Sequence, residues 1–213
     1  MNGTKEEQLQ TLSEIRLLME QSSKFISLSG LAGISAGVIA LLGGAVAWMR
    51  TRQVFGTSPD AHASVGRVLN LREDFVQFFL LDAGIVFVLA LASAIYFTTR
   101  KAKKQNLPTW DATAKRLVIN LFVPVVAGGI FCLIMLTHGE FQHIAGATLL
   151  FYGLGLINAS KYTLSEVRWL GYTEILLGLL AAAFPGWGLI FWMTGFGVLH
   201  ILYGSLMYFK YER

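Results

Sequence analysis

Long apolar blocks separated by short polar connections set the pattern of this chain. After a polar opening stretch, apolar residues dominate 26–49, 75–98, 117–137, 141–160, 169–184 and 187–209. A helix rises about 1.5 Å per residue, so about 20 apolar residues cross a hydrocarbon core of about 30 Å. Six spans are predicted, with the fifth short enough that five is the rival count. The connection at 50–74 is polar, with Ser58-Pro59-Asp60 marking a turn. The one at 100–116 is the most basic segment of the chain. Later connections are short, so spans three to six are expected to form tight antiparallel hairpins. The first block is expected to be retained as a span, although Ala45-Val46-Ala47 resembles a cleavage site. It is too long for the apolar core of a leader, and it follows a long helical segment instead of a short basic tail.

Residues 4–24 carry a different period. Thr4 and Glu7 have capping-box spacing, in which each side chain satisfies a free backbone N–H near the other. Leu12, Ile15 and Met19 line one face, flanked by Leu9 and Leu18, while Glu14, Glu20 and Lys24 take the other. The pattern predicts an N-terminal amphipathic helix over 1–25, ahead of a bundle over 26–213. That helix either docks on a partner or the membrane surface, or serves as a polar lead-in to the first span.

Composition supports the pattern. Of 213 residues, 54% are hydrophobic and only 14% charged, too few to cover the surface of a soluble domain. The predicted fold class is all-α, a polytopic transmembrane helix bundle of about six spans whose first partner is the lipid bilayer. A net charge of +4 would suggest nucleic acid in a soluble protein. Here the basic residues sit at the ends of apolar blocks, so no nucleic-acid partner is expected. Thirteen of the 17 lysines and arginines fall on the side of the termini, against Arg50, Arg52, Arg67 and Arg72 on the other. The positive-inside rule then places both termini in the cytoplasm, with the four outer arginines running against it. The lone Cys132 excludes an intramolecular disulfide.

Small residues recur in the first span. Ser29, Gly33 and Gly37 stand at four-residue spacing, with Ala36, Ala40 and Gly44 on an adjacent row. Such rows let helix backbones approach closely in lipid, where apolar burial alone does not drive association. The preferred use is an internal contact, and the alternative is a homodimer face.

Ionisable groups at membrane depth are costly unless neutralised, partnered or wet, which makes them functional candidates by default. Asn158, Glu174 and His200 fall in the half nearer the termini. Glu174 and His200 lie about 8 and 13 Å from that boundary, so a pair on adjacent antiparallel helices is geometrically open. Such a pair is either a proton-carrying or ligand site, or a structural hydrogen bond that holds the hairpin register. Asp82 lies in the outer half, flanked by Leu80-Leu81 and Ala83-Gly84. The outer connection Thr137-His138-Gly139-Glu140-Phe141-Gln142-His143 brings two imidazoles and a carboxylate within six residues. His138, Glu140 and His143 could ligate a divalent metal, yet their spacing is not that of a helical zinc motif, and Gly139 argues for a turn. A solvated hairpin tip is the plainer reading. A b-type haem would need two buried histidines at matching depth, and only His200 is clearly buried in the sequence. No phosphate-binding glycine loop, catalytic carboxylate pair or serine elbow is present, and no cofactor is expected. Trp48, Trp110, Trp169, Trp187, Tyr208 and Tyr211 fit interfacial belts.

The last hairpin has a glycine and proline rhythm: Gly171, Ile175 and Gly178, then Phe184-Pro185-Gly186, then Gly195 and Gly197, then Ile201 and Gly204. Over residues 141–209 this resembles the HdeD-like acid-resistance membrane proteins, six-helix proteins of the bacterial inner membrane. The resemblance implies a role in envelope or acid stress without a known catalytic activity. The leading expectation is therefore a non-enzymatic, self-associating membrane protein with a structural, stress-related or regulatory role. The alternative is a small proton-linked transporter or channel for an unidentified ion or small molecule, using Asp82, Asn158, Glu174 and His200. A membrane metal site at His138, Glu140 and His143 comes third.

Overall fold

The structure, a computed structural model, describes residue 25 and residues 28–55 and 73–213. Residues 1–24 of the predicted amphipathic helix, the predicted turn at 58–60, and Arg67 and Arg72 lie outside the described residues. Every regular element among those described is helical. They are α1 (Gly30–Phe55), α2 (Glu73–Lys104), α3 (Ala112–Thr137), α4 (Ile144–Ala159) and α5 (Ser165–Ala183). The last rod is built from α6 (Gly188–Trp192), a π-helical stretch (Met193–Leu199) and α7 (His200–Tyr211). Short 3-10 turns at Phe141–His143, Ser160–Tyr162 and Pro185–Trp187 join the later helices.

Helix ends follow local chemistry more closely than they follow the apolar blocks. The side chain of Asp111 accepts the Ala114 N–H at 2.7 Å, so α3 begins before its apolar run and includes the polar turn Ala112–Arg116. At its other end Gly139 has φ 76°, and Glu140 N–H and Gly139 N–H donate to the carbonyls of Met135 and Leu136. This is the glycine-terminated hydrogen-bond pattern that a side chain with a Cβ would strain. The predicted turn at Gly139 is present. In contrast, α1 starts four residues later than its apolar block. Phe25 donates its N–H to Tyr162 O at 2.7 Å and accepts from the Thr163 hydroxyl at 2.8 Å, which holds the backbone there out of the helix.

Helices consecutive in the chain pack antiparallel, while α4 and the last rod run side by side in the same direction. α4 and α5 form the tightest pair, and glycine is what permits it. A Cβ on Gly153 would stand 2.7 Å from Gly171 O, and one on Gly178 would stand 2.8 Å from Leu150 N. The last rod lies between this pair and α1, α3 packs on α4, and among the described residues α2 packs chiefly on α1. Phe25, Lys101, Thr163 and Glu212 therefore meet at one end of the bundle, called here the terminal end. The α3–α4 and α5–α6 turns occupy the far end.

The outward faces are apolar. Leu42, Leu81, Ile85, Val88, Ile119 and Val123 are all exposed. A water-facing surface of that kind is not stable, whereas a lipid-facing one is. Five described helices are long and apolar enough to cross a membrane: Gly30–Gln53, Val76–Lys104, Ala112–Thr137, Phe141–Tyr162 and Pro185–Tyr211. The sixth, α5, carries Glu166, Arg168 and Glu174 and is less apolar, yet it runs antiparallel along α4. The chain is a helix bundle of the integral membrane class.

Candidate functional site

The centre of the bundle is polar, and its members come from three elements. Glu174 projects from α5, His200 opens α7, and Tyr152 projects from α4. Glu174 is fully buried and His200 nearly so. His200 Nδ1 lies 3.0 Å from Gly195 O, and its Nε2 lies 2.9 Å from the Tyr152 hydroxyl. A carbonyl can only accept, so Nδ1 carries the hydrogen and the Tyr152 hydroxyl donates to Nε2, an assignment that follows from the network. Glu174 Oε1 is 3.4 Å from the same Nδ1. That N–H is directed at Gly195 O, and neither oxygen of Glu174 has a hydrogen-bond partner among the described residues. The contact is therefore a close approach and not a formed ion pair. A buried carboxyl without a donor is costly, so its surroundings must hold it in place by packing.

The π-helical stretch creates that packing. Wider turns of this kind change the alignment of side chains within a helix and concentrate at functional sites. Here the stretch carries Gly195 and Gly197, which face opposite neighbours. Gly195 lies against the Glu174 carboxyl and Leu149, while Gly197 lies against Leu41 of α1. Phe196, between them, packs against Tyr152 with ring centres 5.0 Å apart and against Trp192 at 5.0 Å, and it stacks on His200 at 5.9 Å. The site is thus a Glu–His–Tyr cluster roofed by aromatic rings.

A half-open cavity of about 280 Å³ lies on the far-end side of that roof. Asp82, Thr51, Gln142, Thr148 and Trp192 are among its walls, but Glu174, His200 and Tyr152 are not. Trp192, Phe196 and His200 succeed one another at one-turn intervals along the last rod. A layer of aromatic rings therefore separates the cavity from the buried cluster.

The other residues singled out in the sequence are dispersed. Asn158 donates from Nδ2 to Asn120 O at 3.2 Å and accepts from Lys161 Nζ at 3.2 Å. Asn120 O is the carbonyl left without a helical donor by Pro124, four residues on, since proline has no N–H. Asn158 thus compensates a proline inside a span and does not join Glu174. His138 Nδ1 lies 2.9 Å from Ile134 O, and His143 Nε2 lies 3.3 Å from Gln142 Nε2. Among the described residues, no three histidine, cysteine, aspartate or glutamate side chains form a group able to hold a metal. His138, Glu140 and His143 are accordingly not brought together. Gly33 meets Gly204 and His200 O, Gly37 meets Gly197 O and Ile201, and Gly44 meets Met193. Ala40 is buried with them. All four lie inside this bundle, facing neighbours of the same chain.

Sequence reasoning missed three participants. Tyr152 reads as one more aromatic in an apolar run, and its only signal is a hydroxyl at membrane depth. Lys101 and Glu212 read as flanking charges, but both are largely buried at the terminal end. Lys101 Nζ donates to Leu28 O at 2.8 Å and lies 3.5 Å from Glu212 Oε1. Glu212 also accepts from the Gly30 N–H and the Ser29 hydroxyl, placing a carboxylate at the positive end of the α1 dipole. Beside this knot, Glu166 accepts from Lys210 and from the Tyr211 hydroxyl. Burial raises the Glu166 carboxyl, but the hydrogen bonds from Lys210, its own backbone and Tyr211 outweigh it and hold it below its ordinary value.

Fold and site together define a polytopic membrane bundle with a buried Glu–His–Tyr centre. No protein-family model, curated protein or solved structure matches the chain.

Proposed function

We propose that the chain is a non-enzymatic, multi-pass protein of a bacterial inner membrane with a structural or regulatory role in envelope stress. The observation that carries the non-enzymatic part is the enclosure of Glu174, which is fully buried against Gly195 with His200 and Tyr152 beside it. A reaction centre needs an approach for its substrate, and the cavity walls stop short of these residues. In this reading the cluster fixes the register of α4, α5 and the last rod. The bacterial membrane and the link to acid or envelope stress rest on the HdeD-like rhythm of residues 141–209. Cytoplasmic termini are supported by the basic α2–α3 and α4–α5 connections and by Lys210 and Arg213, all at the terminal end. Self-association belongs to the same reading and has to use an outer face, since Gly33 and Gly37 are covered by the last rod.

A transport reading is favoured by one specific observation: Trp192 on the wall of the Asp82 cavity contacts Phe196, which in turn stacks on His200. Reconstitution separates the two. Sealed vesicles carrying the protein are expected to show no proton or solute flux above empty vesicles, with Glu174→Gln unchanged. A flux that Glu174→Gln abolishes would replace the structural reading with the transport one.

A further inference from the structure

The cavity at the far end has a composition that selects for one chemical class. Phe79, Phe141, Ile144 and Trp192 supply most of its character, and Asp82 is the one charged side chain on the described wall. Thr51, Gln142 and Thr148 are neutral, and no lysine, arginine or histidine among the described residues lines the space. Among the described residues the Asp82 carboxylate stands beside Gly43 of α1, a residue with no side chain to pair with it. An inorganic cation is a poor match, because hard cations take about six or more oxygen ligands. This wall offers one carboxylate, one amide and two hydroxyls that donate to their own helix carbonyls, Thr51 to Ala47 O and Thr148 to Ala145 O. An anion is repelled. A neutral apolar molecule would leave the carboxylate unpaired in a low-dielectric space. What remains is an organic cation whose charge is surrounded by apolar substituents. Such a group gains from the carboxylate and from aromatic faces at once, and three aromatic side chains stand on this wall.

Volume and access agree with this. About 280 Å³ is close to the lower end for small-molecule sites. The cavity is half-open, and among the described residues α2 packs chiefly on α1, which leaves most of its other faces turned outward. We infer that the far-end cavity is a binding site for a hydrophobic organic monocation, with Asp82 as the charge partner and Phe79, Phe141 and Trp192 as the aromatic walls. The inference does not depend on the stress role proposed above.

Equilibrium dialysis of tetraphenylphosphonium against the full chain in lipid nanodiscs, with empty nanodiscs subtracted, tests it. Saturable binding is expected, weakened at least about tenfold by Asp82→Asn, which removes the charge and keeps the shape. Ala83→Phe keeps the carboxylate and fills the space, and it is expected to weaken binding to a similar degree. Tetraphenylborate, of the same shape and opposite charge, is expected not to bind saturably. The inference is overturned if the cation does not saturate or if either variant binds it like the wild type. It is equally overturned if the borate competes for the same site. Should Asp82→Asn lower the melting temperature, the Ala83→Phe result decides alone.

Discussion

The carboxyl of Glu174 rests directly against the Cα of Gly195, two residues from different helices with no room for a side chain between them. A Cβ at 195 would overlap both that carboxyl and Leu149. Gly195→Ala is therefore expected to destabilise the bundle by about 1–3 kcal/mol, the usual cost of overpacking a close contact. Shortening the opposing side chain should relieve part of it, so Gly195→Ala combined with Glu174→Ala should cost less than the two single changes added together. Thermal unfolding in detergent measures this, and strict additivity would contradict the contact.

Tyr152 is expected to matter through its hydroxyl and not its ring. Tyr152→Phe keeps the stacking on Phe196 and His200 but leaves His200 Nε2 without its donor. The cost should be about 1–3 kcal/mol, the range for orphaning a buried polar atom. Nitrogen chemical shifts of His200 give an independent readout. The wild type should show hydrogen on Nδ1, with the Nε2 signal moving in the variant. An unchanged Nε2 signal would refute the assigned bond.

Asn158 and Pro124 should be coupled. Asn158→Leu is expected to destabilise by about 1 kcal/mol, because Asn120 O loses the donor that replaces the missing proline N–H. In a Pro124→Ala background the helix supplies its own donor, and Asn158→Leu should then cost measurably less. A double-mutant cycle with no interaction term would show that Asn158 serves something else.

Glu166 predicts a pH dependence at the terminal end. Its folded carboxyl sits below the ordinary value of 4.5, so the contribution to stability is present above that value. It is lost as pH falls through the lower folded value, when Lys210 and Tyr211 lose their charged acceptor. The effect is small because Lys210 is largely exposed. The melting temperature should fall with acidification below about pH 5 more steeply in the wild type than in Glu166→Gln. Identical slopes would show that this carboxyl is not held by its neighbours.

The membrane class, the number of helices among the described residues and the antiparallel hairpins were legible in the sequence. They depend on block length and on turn residues such as Gly139 and Pro185, which act locally. The candidates Glu174, His200 and Asp82 were legible as well, since any ionisable group inside an apolar run stands out. Their relationships were not. Whether Glu174 meets His200 depends on the rotation of two helices about their axes, set for α5 by contacts such as Gly153 with Gly171 and for the last rod by contacts such as Gly204 with Gly30. A π-helical insertion at Met193–Leu199 shifts the alignment again, and no apolar pattern encodes it. The sequence by itself determined that this chain crosses a membrane carrying a few buried polar groups, because hydropathy is a sum over neighbours along the chain. Only the tertiary structure decided that Glu174, His200 and Tyr152 form one enclosed cluster while Asp82 faces a cavity beyond an aromatic layer. Packing between distant segments sets those distances.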